Sequence, residues 1–138
     1  MNPPFGVVVI GRNEGERLRT CLQALPFHSC TVVYVDSGST DGSVELVRRF
    51  GAHVVELDMA QPFTAARARN GGVAALLQAA PDAEFVQFLD GDCELAAHWL
   101  ATGLAFLLQN PQTAVVSGRL RERNPDRSVF NPLCDWEW

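Results

Sequence analysis

Phe85-Val86-Gln87-Phe88-Leu89-Asp90-Gly91-Asp92 is a short apolar run that ends in two carboxylates one residue apart. The run has the length and character of a buried strand. Two acids at its end are poor structure and good chemistry. Both ionise at neutral pH and repel each other unless a cation or a ligand's polar groups lie between them. Gly91 lets the backbone turn there and lets a ligand come close. A hard divalent ion such as Mg2+, often together with a phosphate, is the usual reason for such a pair.

Outward from this point the chain alternates strand and helix. Residues 5–10 are a continuous apolar, β-branched run, the mark of a strand covered on both faces. Residues 14–25 carry Leu18, Cys21, Leu22 and Leu25 at helical spacing, and Pro26 ends that helix. Residues 31–35 form a second buried strand, and 36–42 are turn residues. Asp41 is placed to cap a helix through Phe50, with Gly51 as its stop. Residues 53–57 read as a third strand. Thr64 caps a helix to about Ala80, and 84–89 form the fourth strand. A helix over 95–108 and a fifth strand over 113–117 complete the pattern.

Such alternation predicts an α/β fold, a mostly parallel sheet with helices on both faces. Ligands of these sheets bind beyond the carboxyl ends of the strands. The unusual polar residues follow that rule: Gly11-Arg12-Asn13-Glu14 after the first strand, Asp36 to Asp41 after the second, Asp90-Gly91-Asp92 after the fourth.

Composition narrows the function. The chain has 138 residues, 47% hydrophobic and 20% charged, which predicts one soluble globular domain. A net charge of −5 argues against a nucleic-acid partner. No apolar stretch is long enough for a membrane span, and Met1-Asn2-Pro3-Pro4 lacks the pattern of a signal peptide. Cysteines 21, 30, 93 and 134 form no CxxC pair, so reduced thiols in a cytoplasmic chain are expected and zinc is not. All 11 basic residues are Arg. Without lysine there is no P-loop and no Schiff base. The first loop also lacks the G-x-G-x-x-G of dinucleotide sites.

Taken in order, Val7-Val8-Val9-Ile10-Gly11-Arg12-Asn13-Glu14, Val35-Asp36-Ser37-Gly38-Ser39-Thr40-Asp41-Gly42-Ser43, Ala68-Arg69-Asn70-Gly71-Gly72 and Phe88-Leu89-Asp90-Gly91-Asp92 resemble family 2 glycosyltransferases of the Rossmann-like GT-A fold. The resemblance runs from about residue 5 to residue 100. It implies metal-dependent, inverting transfer of a sugar from a nucleotide-diphosphate sugar to an acceptor hydroxyl. Gly11, Arg12 and Asn13 match the first nucleotide-binding segment. Asp36 matches the acid that hydrogen-bonds the base, and Arg69 an Arg near the nucleotide. Asp90 matches the acid that reaches the ribose, and Asp92 the ligand of Mg2+ or Mn2+. The pattern departs from the family at Ile10-Gly11-Arg12, where Pro-Thr-Tyr is frequent, and at Ser37, where a second acid stands.

Family catalytic domains extend further than this chain, so the resemblance implies a nucleotide-sugar-binding half that ends before the acceptor-binding half. Inversion needs a general base. Glu122, Asp126, Asp135 and Glu137 lie near Arg residues or at the tail, and none is a good candidate. Trp136 and Trp138 at the end call for burial. Two rivals remain. Haloacid-dehalogenase-type phosphatases also place D-x-D after an apolar strand, though Glu94 stands where they carry Thr or Val, and no lysine is present. A nucleotide- or metal-binding module without catalysis is the other.

Several residues have plainer readings. Asp41 is a cap, Arg67 faces solvent, and the Gly71-Gly72 pair in a helix marks close approach by another backbone or a ligand. Glu94 and His98, four apart on a helix, are surface residues. Arg119, Arg121 and Arg123 share one face of an extended segment.

Overall fold

The computed structural model describes residues 4–137, so the readings at Met1 to Pro3 and at Trp138 lie outside the described residues. The chain divides into two compact units, Met1–Ala97 and His98–Trp138.

The first unit is an α/β layer built on four parallel strands: β1 (Phe5–Gly11), β2 (Thr31–Asp36), β3 (His53–Glu56) and β4 (Phe85–Asp90), in the order β3-β2-β1-β4. Helices α1 (Glu16–Gln23), α2 (Ser43–Phe50) and α3 (Ala65–Ala79) connect them. Alternation along β1 decides how the sheet is covered. Val7 and Val9 join Leu18, Cys21 and Leu22 of α1 and Val47 of α2 in one core. Val8 and Ile10 join Ala68 and Leu76 of α3 in the other. A strand apolar at every position needs both faces covered, and the helices divide accordingly.

Helix ends follow their local chemistry. The Thr64 hydroxyl accepts from Arg67 N at 3.0 Å, the expected N-cap of α3. Gly51 closes α2 in the left-handed region, with φ 85. Helix α1 starts at Glu16 rather than Glu14, because Gly15 takes φ 55 and holds the chain out of helix until then. Asp41 caps α2 from one position further out than an N-cap, with Gly42 between.

The glycine pair of α3 has a packing cause. A Cβ on Gly72 would collide with Val8 and come within 3.0 Å of Val35. The close approach anticipated from the sequence is therefore that of the helix to the sheet. Gly71 has only Leu57 within reach, at 3.7 Å.

The second unit holds α4 (Trp99–Gln109), a single 3-10 turn (Pro125–Arg127) and α5 (Asn131–Glu137). Several expectations fail here. Helix α4 begins at Trp99, not residue 95: His98 sits at φ 68, a left-handed break that removes Glu94 and His98 from a common helix. Residues 113–117 are not a strand. A β-branched run becomes a strand by pairing, and among the described residues the sheet stops at four strands, with Val115 80% exposed. The Arg119 to Arg123 segment is likewise irregular; Arg119 Nη2 donates to the Asp135 carbonyl at 3.4 Å, and Glu122 N to Asp135 Oδ1 at 2.6 Å. Trp136 is exposed, against the expectation of burial. Among the described residues no helix is long and apolar enough to cross a membrane.

The two glycines of α3 should respond oppositely to alanine. Gly72→Ala should cost about 1–3 kcal/mol through overpacking against β1 and β2. Gly71→Ala should be neutral or gain up to about 1 kcal/mol from helix propensity. Urea unfolding of both variants checks this; equal effects would refute the packing account.

Candidate functional site

Register brings the predicted residues together. Gly11 lies opposite Asp36, and Ile10 opposite Asp90, so the ends of β2, β1 and β4 stand level at the carboxyl edge. The order reverses here: β1 leads outward to β2, whereas β4 returns to the far side of β1. Such a reversal is where open parallel sheets bind ligands. Main-chain bonds extend the alignment past the strands, with Ser37 N donating to Gly11 O at 3.1 Å and Gly91 N to Ile10 O at 2.8 Å.

Asp36 is buried, at 3% exposure. Its Oδ2 accepts from the main-chain N–H groups of Gly38 at 3.0 Å and Ser39 at 2.7 Å. Its Oδ1 faces the Tyr34 hydroxyl at 3.4 Å. Burial, and secondarily the Asp36 charge, push the Tyr34 phenol well above its ordinary pKa, so Tyr34 stays a donor. Asp36 therefore shapes its own loop. One acceptor direction on Oδ1 is left for another donor.

Asp90 and Arg69 meet across the sheet edge, Nη2 to Oδ1 at 3.0 Å, both half exposed. Asp92 is exposed on the turn beyond, where the Cys93 thiol lies 3.6 Å from its Oδ1. Burial, reinforced by the Asp92 charge, pushes Cys93 up to about 11. Cys21 Sγ reaches the Asp90 carbonyl at 3.9 Å, and burial pushes it up to about 12. Neither thiol is a nucleophile at neutral pH. Arg12 is exposed. Asn13, at φ 54, is spent on loop contacts: its N–H donates to Ser39 Oγ at 2.9 Å, and its Oδ1 accepts from Thr40 N at 2.7 Å.

Three features were not foreseen. Arg67, though partly exposed, is not simply solvated; its guanidinium donates to the carbonyls of Asp58 at 2.9 Å and Gln61 at 3.4 Å and pins the loop before α3. Gly91 is buried, and a Cβ there would press on Ile10 O and Glu14 Cγ, both at 3.3 Å. What comes close to Gly91 is thus the chain itself. Glu14 turns inward between Gly11 and Gly91. Its Oε2 is buried without a hydrogen-bond partner; the Arg17 guanidinium comes to 2.9 Å, outside hydrogen-bond geometry. Burial first, then the Asp92 charge, raise the Glu14 pKa, against the lowering effect of Arg17. Its place in the first motif was visible in the sequence, but a residue in a turn has no period to say which way it points.

The sign of the Glu14 shift gives a test. A carboxyl whose pKa is raised by folding favours the folded state at low pH and loses that contribution as pH rises through and past the ordinary carboxylate range. Glu14→Gln should therefore gain stability relative to the parent between pH 4 and pH 7. Melting temperatures across that window check it; a constant difference would show that Glu14 does not titrate as inferred.

Comparison with known proteins supplies the rest. The sequence matches the Glycosyl transferase family 2 profile over residues 6–134. It is 31% identical over 111 residues to Glycosyltransferase AglE of Haloferax volcanii, covering 75% of this chain and 35% of that protein. Among solved structures it is similar to the mannosyltransferase PcManGT from Pyrobaculum calidifontis in complex with GDP-Man and Mn2+, with a TM-score of 0.60 and 27% identity over 78% of this chain and 33% of that one. The chain thus spans about a third of the length of the relatives it matches. Four parallel strands, the acids at their carboxyl edge and the match over most of the chain agree: the protein belongs to glycosyl transferase family 2.

Proposed function

We propose that the carboxyl edge of the sheet binds a nucleotide-diphosphate sugar together with Mg2+ or Mn2+, and that the chain provides the donor side of sugar transfer to an acceptor hydroxyl. The observation that carries this reading is the register that sets Gly11, Asp36 and Asp90 level on three adjacent strands, in a chain of this family. The similar PcManGT structure, which holds GDP-Man and Mn2+, supports it.

The residues present fit a divalent ion of the kind that phosphates help to bind. Among the described residues no three His, Cys, Asp or Glu side chains converge on one point. Among the described residues, then, no all-protein cage is formed. That suits Mg2+ or Mn2+, which take one or two carboxylates and complete their shell with substrate phosphate and water. Asp92 would be the ligand. Its charge, together with that of the neighbouring Glu14 carboxyl, whose buried Oε2 Arg17 pairs without a hydrogen bond, makes a negative spot that a cation relieves. When bound, the ion would neutralise the diphosphate as it leaves.

The chain's own groups do the rest. The remaining acceptor direction of Asp36 suits a base N–H, since a carboxylate is a strong acceptor. The turn at Gly11, Arg12 and Asn13 borders the nucleoside. Arg69 holds Asp90 in place for the ribose, and its guanidinium stands ready for an oxygen of the diphosphate. Inversion is an expectation from the family resemblance alone, and the general base is not assigned. Family membership sets aside the phosphatase alternative. Donor binding without transfer is the remaining second reading.

Calorimetric titration with UDP, GDP and ATP, each with and without Mn2+, tests the proposal. Metal-dependent binding of UDP or GDP, with ATP far weaker, is expected, and equal binding of all three would overturn it. Release of free sugar from the matching donor would separate transfer chemistry from binding alone. Asp92→Ala should abolish the metal-dependent part of binding with the fold intact. Asp36→Ala should weaken nucleoside binding at least tenfold even without metal; unaltered affinity in either variant would remove that residue from the site.

A further inference from the structure

One carboxylate grips the starts of two helices. Asp41 Oδ2 accepts from Gly15 N at 3.0 Å, directly before α1. Asp41 Oδ1 accepts from Ser43 N at 3.0 Å and Ser43 Oγ at 2.6 Å, at the start of α2. On the β1 side of this grip, Asn13 carries modest backbone strain. Asn13 and Gly15 both have positive φ, 54 and 55, and only Asn13 among them carries a side chain that tolerates it at modest cost. Strained backbone persists where its surroundings hold it. Between these two residues lies Glu14, turned under Gly91. Before them lies the exposed Arg12.

We propose that Asp41 is a positioning residue of the donor site: its carboxylate fixes the 12–15 turn, and so sets Arg12 and Asn13 beside the nucleoside and Glu14 against the Asp90-Gly91-Asp92 turn. The inference rests on the donor-site reading. Capping of α2 alone does not account for the contact. Oδ1 and the Ser43 donors are sufficient for that, while Oδ2 reaches 26 residues back along the chain to Gly15. The residue type fits as well. Only a carboxylate offers two acceptor oxygens, one for each side; an amide oxygen serves one side and turns an N–H2 donor toward the other.

This asymmetry supplies the experiment. Asp41→Asn keeps its single oxygen on the two Ser43 donors and opposes its amide to Gly15 N–H, so the α2 start is retained and the 12–15 turn is released. Ser43→Ala does the reverse, removing a donor on the α2 side and leaving the Gly15 contact. UDP and GDP with Mn2+ are titrated into the parent and both variants, alongside thermal unfolding. Asp41→Asn should weaken nucleotide affinity about tenfold with a near-parental midpoint. Ser43→Ala should lower the midpoint and leave affinity unchanged. A simple charge effect has the opposite sign, since removing a negative charge near a diphosphate strengthens its binding. Affinity of Asp41→Asn within twofold of the parent overturns the proposal while leaving the donor reading intact. If the parent itself binds neither nucleotide, the donor reading fails. The grip is then judged by amide exchange at Gly15, where acceleration in Asp41→Asn supports it and an unchanged rate overturns it.

Discussion

Strand β1 is the constraint on which the first unit depends. It pairs with β2 over Gly6 to Gly11 and with β4 over Phe5 to Ile10. Double pairing satisfies its main-chain groups on both edges, and the apolar run satisfies neither face by itself. Both faces must then be covered. Helices α1 and α2 take one and α3 the other, and the cores on the two sides share no residue. Because the strands are parallel, all their carboxyl ends lie at one edge. Asp36 and Asp90, which end β2 and β4, share that edge on either side of β1 for that reason alone, although 54 positions separate them in the sequence.

Close packing at the edge leaves little to move. Glycine at position 11 lies under the Tyr34 hydroxyl, 2.9 Å from where a Cβ would sit, and Gly91 lies under Glu14. Leu57 N donates to Asp36 O at 2.9 Å, which carries the alignment on to the end of β3. The loop before α3 is held by Arg67 and by Asp58, whose Oδ1 accepts from Ala60 N at 2.9 Å. A ligand at such an edge pays less to order its surroundings than one that must close a mobile loop.

The strands and most helix ends were legible in the sequence because each rests on a local rule. The β-branched runs at 7–10 and 32–35 can bury only as central strands, Thr64 can cap, and Gly51 can take positive φ. Where the outcome depends on a partner distant in sequence, local rules fail. Val115 and Val116 have the composition of a strand without a ladder to join. The left-handed turn at His98 delays α4 in a stretch whose helical period looked continuous. Gly72 marked a close approach by a backbone or a ligand without saying which, because sequence shows the cost of a helical glycine and not the valines it faces. At the site, the acids at 36, 90 and 92 could be placed by the strands they follow. Glu14 and the second contact of Asp41 could not, since both depend on how two loops, 26 residues apart, fold onto each other.

The distribution of satisfied and unsatisfied groups argues where chemistry is directed. Asn13 and Asp41 have their side-chain oxygens engaged by main-chain N–H groups, and Asp36 has one of its two so engaged, so their first effect is on shape. Asp90 is held by an ion pair in the open, worth little to stability on its own. An exposed pair of this kind can exchange its partner at small cost. Glu14 differs from all of these. Its carboxyl is mostly buried and near Asp92, and one oxygen lacks a hydrogen bond. An ion pair to Arg17 without a hydrogen bond on a buried oxygen is a less stable arrangement than a fully hydrogen-bonded carboxyl. The cost falls where the loops of β1 and β4 meet, at the reversal of strand order, where open parallel sheets bind ligands.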